Sequence, residues 1–160
     1  MAKFERVSSK TRKMILKQLK ENFGITDFPY VILSSGKRRF WICPPKVAQI
    51  NFKGLLIHSI GFYFANIDKN ILRLSFDATQ VFADQIKNNI LEIDKESAEK
   101  WLRGESLQLN KEVKEKKVVV IKYKNDFLGC GIISNKKIWN HVPKDRRTIV
   151  ELPTEFELPD

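Results

Sequence analysis

The residues best suited to chemistry cluster near the end of the sequence, in the segment FLGCGIISNKKIWNHVPKDRRTI at residues 127–149. Arginine can grip a phosphate through two parallel hydrogen bonds, and lysine adds a compact positive charge. Imidazole and indole rings among such cations offer stacking surfaces for unpaired bases. We therefore predict that His141 lies near a base and that five cations contact phosphates: Lys136, Lys137, Lys144, Arg146 and Arg147. For Trp139, a place in the hydrophobic core is the stronger expectation.

Two further groups of cations precede this cluster. Lys37, Arg38 and Arg39 lie where a β-hairpin turn is expected, and several lysines from Lys10 to Lys20 share one side of a predicted helix. An ordinary solvated face explains the helix lysines best, although like charges at this spacing destabilise a helix. We expect the hairpin cations to extend the phosphate track, and the helix lysines to extend it as well or to contact a protein partner.

Composition favours a polyanionic partner. The chain has 160 residues with 42% hydrophobic and 30% charged positions, which is typical of a folded protein. Its formal net charge is +10 and its pI is about 9.6. An excess of this size attracts polyanions, of which nucleic acid is the commonest. Solubility alone is the plainer explanation of the charge.

Signatures of catalysis are missing from the sequence. It contains none of the patterns GxGxxG, GxxxxGK[ST], GxSxG or HExxH. Cys43 and Cys130 are 87 positions apart and form no metal-binding pair. We predict two buried thiols in a reducing compartment, no metal, no cofactor and no catalytic residue, and we expect His58 in the core or at its edge. The chain is predicted not to be an enzyme.

The cellular setting follows from hydropathy. No run of about 18 apolar residues occurs, and the start MAKFERVSSKTRK lacks the apolar stretch of a secretory signal. We expect a cytoplasmic protein, nucleolar if the source is eukaryotic, without a membrane partner.

The first 88 residues have the pattern of an α+β domain. Ser8 to Gly24 predicts an amphipathic helix, and Tyr30 to Cys43 predicts a hairpin that turns at Gly36. A short helix is expected at Pro45, and strands are expected over 54–67 and 71–76. A helix capped by Asp77 then places Val81, Phe82 and Ile86 inward.

Residues 89–160 are predicted to form a second, mostly β domain. NILEID predicts a strand, and Asp94 caps a helix that Gly104 ends. A charged turn region, NKEVKEKK, is expected before a hairpin formed by VVVIKYK and FLGCGIIS, with further strands at KIWN and RTIVEL. Gly129 and Gly131 would mark a close approach inside a small barrel.

Several segments of this half resemble the PUA domain, an RNA-binding pseudo-barrel. ILEIDKESAEKWLRGESL, VVVIKYKNDFLGCGIIS and IWNHVPKDRRTI carry the resemblance, and EKWLRGE, FLGCG and NHVPKDRR are close to the C-terminal domain of Sun-family RNA cytosine-5 methyltransferases. The first half resembles the pre-PUA domain of the Nip-seven ribosome-biogenesis family at Gly61–Phe64 and Leu72–Leu74. The resemblance implies an α+β pre-PUA-like domain at 1–88 followed by a PUA pseudo-barrel at 89–160, and it implies no catalytic activity.

The leading hypothesis is a non-catalytic protein that binds ribosomal or tRNA-like RNA during rRNA processing or large-subunit ribosome assembly. The first alternative is a targeting subunit that guides a separate methyltransferase or pseudouridine synthase, so assembly or modification proteins are expected partners. A small enzyme that uses Cys43 or His58, and a protein-interaction module, remain as further alternatives.

Overall fold

The computed structural model describes residues 3–148, which form helices and two β-sheets and so confirm the predicted α+β class. The strands are β1 (Glu5–Arg6), β2 (Val31–Ser35), β3 (Arg39–Cys43), β4 (Phe62–Asp68), β5 (Ile71–Leu74), β6 (Ile90–Glu92), β7 (Leu107–Tyr123) and β8 (Asp126–Trp139). The helices are α1 (Ser9–Gln18), α2 (Pro45–Ala48), α3 (Phe76–Val81) and α4 (Lys95–Leu102), with a π-helical turn at Leu19–Phe23 and a 3-10 turn at Lys144–Arg146.

Strands β1 to β5 form an antiparallel sheet in sequential order. Alternate side chains of its central strands, such as Phe40 and Ile42, point to one face and are almost completely buried. Ile15 and Leu19 from the first helix belong to the same apolar cluster. The helix therefore covers the inner face of this sheet and does not cover the outer face.

The first helix, α1 with the π-helical turn that follows it, begins and ends as its sequence predicts. The Ser8 hydroxyl accepts a hydrogen bond from the Thr11 amide at 3.1 Å. Gly24 follows the π-helical turn with φ of 82°, a conformation that glycine adopts without a Cβ clash. The hairpin of β2 and β3 and the short helix α2 are also confirmed.

The strand expected over 54–67 begins only at Phe62, so the first part of that prediction is wrong. Gly54 and Gly61 both have positive φ, which breaks the extended conformation between them. Leu55 and Leu56 are 60% and 69% exposed in the resulting loop. His58 is also exposed there, so its expected place in the core or at its edge is wrong too.

Helix α3 starts two residues earlier than predicted, and Ser75 caps it instead of Asp77. The Ser75 Oγ accepts a hydrogen bond from the Ala78 amide at 3.1 Å and donates one to the Tyr63 carbonyl at 2.8 Å. Because the helix ends at Val81, that side chain is 54% exposed rather than inward. Phe82 and Ile86 are buried as expected.

The second sheet consists of β6, which is parallel to β7, and of β8, which is antiparallel to β7. The charged segment 110–117, predicted as a turn, lies within the 17-residue strand β7. Intermittent pairing with β8, at Val113 with Asn135 and at Lys117 with Ile133, satisfies part of its backbone while most of its charged side chains reach solvent. The first three residues of KIWN likewise belong to β8 instead of a separate strand, and the turn between β7 and β8 lies at 124–125.

Gly131 permits the close approach that its spacing suggests. A Cβ there would lie 2.6 Å from the Ile138 side chain and 2.8 Å from the Trp101 ring. Trp101 projects from α4, which Asp94 caps as predicted, and its indole nitrogen donates to the Leu128 carbonyl at 2.7 Å. A larger residue at position 131 would therefore displace the ring that fills this half's core.

One apolar cluster joins the two halves of the chain. Val118, Val120 and Cys130 from the second sheet lie in the same cluster as Phe64 and Leu72 from the first. The domain boundary between 88 and 89 stays a prediction.

The expected strand RTIVEL is not formed at 147–148, and the remainder of it lies outside the described residues. No helix within 3–148 has the length and apolar character needed to span a membrane.

Candidate nucleic-acid interface

The outer face of the five-stranded sheet forms one wall of a cleft. Arg39 and Trp41 of β3 point outward because they alternate with buried Phe40 and Ile42. Arg73 of β5 points outward for the same reason, between its two buried leucine neighbours.

Polar and aromatic pairs cross this wall from strand to strand. Asn66 of β4 is in register with Arg39 on one side and with Arg73 on the other. Trp41 is opposite Tyr63, with 5.2 Å between their ring centroids. The wall thus combines guanidinium groups with aromatic rings on adjacent strands.

The second wall is formed by the end of β8 and the segment that follows it. Asn140 fixes this segment, since its side-chain amide donates to the carbonyls of Trp101 at 2.7 Å and Glu105 at 2.8 Å. Its side-chain oxygen accepts from the Val142 amide at 2.7 Å. These bonds hold His141, between Asn140 and Val142, against the cleft.

Two adjacent cavities occupy the space between the walls, with volumes of about 430 Å³ and 570 Å³. Trp139 lines the smaller cavity, and Trp41 and Tyr63 line the larger one. Both cavities are also lined by Asn66, Arg73, Asn140 and His141. Cavities of this size are within the usual range for binding sites.

Positive charge dominates the cleft. Seven cations line the two cavities: Arg38, Arg39, Lys69, Arg73, Lys116, Arg146 and Arg147. Three carboxylates line them as well, and each is within 4.0 Å of an arginine: Asp68 of Arg38, and Asp77 and Asp145 of Arg146. The other five cations have no carboxylate partner among residues 3–148, so an anion that enters the cleft meets unneutralised charge.

The structure brings some of the predicted site residues to this cleft and leaves others away from it. His141, Arg146, Arg147, Arg38 and Arg39 line the cavities. Three exposed or partly exposed lysines, Lys136, Lys137 and Lys144, line neither of them, and Lys37 borders a third depression beside His58. Their roles in binding stay predictions.

Arg146 and Arg147 each have partners within the protein. The Arg146 guanidinium donates two hydrogen bonds to the Asp77 carboxylate, both at 3.0 Å. The Arg147 Nε donates to the Val142 carbonyl at 3.1 Å, and its side chain lies over Gly104. These contacts attach the segment after β8 to both halves of the molecule, and they occupy donors that a phosphate would otherwise use.

Trp139 is 48% exposed, so the expectation that it belongs to the core is wrong. Its neighbour Ile138 points inward and is buried, which turns the indole outward. The Lys137 ammonium lies 4.5 Å from the centroid of the ring. A cation on one side of an exposed indole leaves ring surface available for stacking with a base.

His141 has an unusual electrostatic environment. The residue is exposed by its surface area, yet it lines both cavities, and the surrounding protein displaces part of its hydration. Desolvation, followed by the positive charge of Arg73, lowers the pKa of His141 to about 4, against a smaller opposing effect of Asp68. The imidazole is therefore neutral at pH 7 and can accept a hydrogen bond.

Both thiols are buried as predicted. Burial raises the pKa of Cys130 to about 12, and burial also raises the pKa of Cys43. Thiols that stay protonated are poor nucleophiles. Among residues 3–148, no group of three or more histidine, cysteine or acidic side chains is arranged to hold a metal ion.

Arg73, Asn66, Trp41 and Tyr63 were not expected in the site. Alternation of apolar and polar residues in ILRL and RFWIC is the signal that marks Arg73 and Trp41 as outward-facing. No local pattern indicates that this face is opposite His141, which lies 68 positions after Arg73.

Comparison with known proteins shows what the second half is similar to. Residues 88–148 match the family described as the Methyltransferase RsmF PUA domain. The chain is also similar to a protein named ribosomal RNA small subunit methyltransferase F in three bacteria. Identity is 23% in Shewanella woodyi, over 97% of this chain and 32% of the relative. It is 24% in Shewanella oneidensis, over 95% and 32%, and 22% in Aeromonas salmonicida, over 89% and 29%.

These matches confirm the predicted PUA pseudo-barrel and its similarity to the PUA domain of Sun-family methyltransferases. The chain spans about a third of the length of these relatives, and the similarity extends through its first half. The resemblance of that half to the Nip-seven family stays a prediction.

Proposed function

We propose that the chain binds an unpaired stretch of ribosomal RNA in the cleft between its two sheets and does not itself modify that RNA. The observation that carries the proposal is the pairing of five cations that lack a carboxylate partner with aromatic rings, partly or well exposed, on facing walls. Unpaired RNA is recognised through stacking of its bases and contacts to its phosphates, and this cleft supplies groups for both. The match to a PUA domain supports the same conclusion.

We further propose that the bound RNA is presented to a methyltransferase active site located elsewhere, on another domain or protein. The relatives support this role, since they are named as small-subunit rRNA methyltransferases and are about three times as long as this chain. The second candidate is a large-subunit assembly factor of the Nip-seven type. The sequence features that favour it are Gly61–Phe64 and Leu72–Leu74, which precede the PUA domain as in that family.

Crosslinking the protein to RNA in its host cells and sequencing the attached fragments tests both candidates. Fragments concentrated in small-subunit rRNA, around methylated nucleotides, are expected from the leading proposal. Fragments from large-subunit precursors would favour the second candidate, and fragments without enrichment of rRNA would contradict both.

A charge-matched pair of variants controls for non-specific attraction. Arg39→Gln with Lys116→Gln removes two exposed cations from the cleft. Lys13→Gln with Lys20→Gln instead removes two exposed cations from the first helix region, which packs on the opposite face of the first sheet and lines neither cavity. The yield of rRNA crosslinks should fall much more for the cleft pair. Equal losses would show that net charge, and not the cleft, governs binding.

A further inference from the structure

Arg73 is the one arginine that lines both cavities. It is only partly exposed, and burial lowers the pKa of its guanidinium. Among the described residues its guanidinium has no hydrogen-bond partner and no carboxylate within salt-bridge distance. Asp68 on the neighbouring strand lines one of the same cavities, but it pairs instead with Arg38 at 3.5 Å.

An unpaired charge that has lost part of its hydration is costly, and folded proteins normally satisfy such a group. Arg73 also contributes little to the core, because its neighbours Leu72 and Leu74 fill the inner face of the strand. Folding alone therefore does not account for an arginine at this position. An anion bound at the junction of the two cavities would account for it, because it would pair with the guanidinium.

We propose that Arg73 anchors a single RNA phosphate, with the base on one side reaching Trp41 and the base on the other side reaching Trp139. This inference rests on the proposed function and names the contact that fixes the RNA in the cleft. The planar guanidinium presents parallel donors that match two phosphate oxygens. Neutral His141 and the amides of Asn66 and Asn140 line the same junction and can orient the bound group.

The test measures binding of a fluorescent unpaired 12-nucleotide RNA by anisotropy over a range of salt concentrations. Arg73→Gln should raise Kd by about ten- to a hundredfold, because a charge-assisted hydrogen-bond pair is lost. The slope of log K against log salt should become shallower by about 0.7, the value for one phosphate of a single strand. Lys13→Gln, which removes an exposed cation from α1, is the matched control and should change Kd less than threefold.

Arg73→Lys separates the anchor from a general effect of charge. Lysine keeps the positive charge but not the two-pronged geometry, so the salt slope should return to that of the wild type while affinity is only partly restored. This variant also controls for folding, since circular dichroism and Tm should match the wild type. Full recovery of affinity with lysine, or an Arg73→Gln variant that binds like Lys13→Gln, would overturn the anchor.

Two outcomes keep the inference distinct from the proposed function. If wild-type protein binds RNA and the cleft pair Arg39→Gln with Lys116→Gln weakens binding, an unaffected Arg73→Gln refutes the anchor alone. If poly-glutamate displaces the RNA at equal charge concentration, the site recognises an acidic polypeptide as well as it recognises RNA. The proposed function and the anchor would then both be wrong.

Discussion

Arg73 and Arg146 show how differently the fold places two arginines of the same cleft. The Arg146 guanidinium donates two hydrogen bonds to the Asp77 carboxylate, whereas the Arg73 guanidinium has no such partner among the described residues. Exposed ion pairs contribute little to stability, so the Arg146 pair orients a segment more than it stabilises the fold. An unpaired guanidinium has a different consequence, because its hydrogen-bond donors and its charge stay available to a ligand.

Individual side chains were predictable where alternation within a strand decides their direction. Trp139 was misjudged because an aromatic residue in an apolar strand usually points inward, and here Ile138 takes the inward position. The arginine pair after Pro143 was expected to face phosphates. The intramolecular partner of Arg146, Asp77, lies 69 positions earlier, a distance across which no local pattern gives information.

The titration of His141 tests the electrostatics of the cleft. We expect its Cε1–H resonance to titrate with a midpoint near 4 in the free protein, as desolvation and Arg73 both disfavour the imidazolium. Arg73→Gln should raise this midpoint toward the ordinary histidine value. A His58→Gln background leaves one histidine, so NMR assigns the signal directly. A wild-type midpoint near 6.5 would contradict the environment described here.

The same shift has a consequence for stability. The pKa of His141 is lower in the folded state than in the unfolded state, so between about pH 6.5 and 4 the unfolded chain binds more protons. The contribution of this residue to stability therefore decreases as the pH falls through that window. In the His141→Gln variant, the free energy of unfolding should therefore depend less on pH within this window.

At the level of elements, caps and turns were largely readable from the sequence, and long strands were not. Ser8 and Asp94 begin their helices through local hydrogen bonds, and Gly24 ends its helix through its backbone conformation, which short patterns encode. The charged part of β7 has no strand-like alternation. It is extended because β8 pairs with it, and that cause lies in tertiary structure.

The start of α3 offers a direct test at this scale. Ser75→Ala removes both the cap to the Ala78 amide and the bond to the Tyr63 carbonyl, and it should lower the free energy of unfolding by about 1–2 kcal/mol. Asp77→Ala removes an exposed ion pair and should lower the free energy of unfolding by less than Ser75→Ala does. Urea denaturation measures both. A larger loss for Asp77→Ala would mean that Asp77 is the cap after all.

For the whole molecule, the important feature is the positively charged space between two sheets, one from each half of the chain. The basic composition predicted a polyanionic partner, and the PUA segments predicted the second wall. The first wall could not be anticipated, because it depends on how the outer face of β3 to β5 meets the residues after β8. Packing between the halves, through Val118, Val120 and Cys130, sets that geometry.

The central claim is that RNA lies between these walls, and peptide mapping of a photo-crosslink tests it most directly. An unpaired RNA with 4-thiouridine at each position in turn is irradiated with the protein, and mass spectrometry locates the attached residues. The account predicts crosslinks at Trp41 or Tyr63 on one wall and at Trp139 on the other, lost when Arg73 is replaced by glutamine. Crosslinks confined to α1 or to the loop 54–61, with none on either wall, would contradict it.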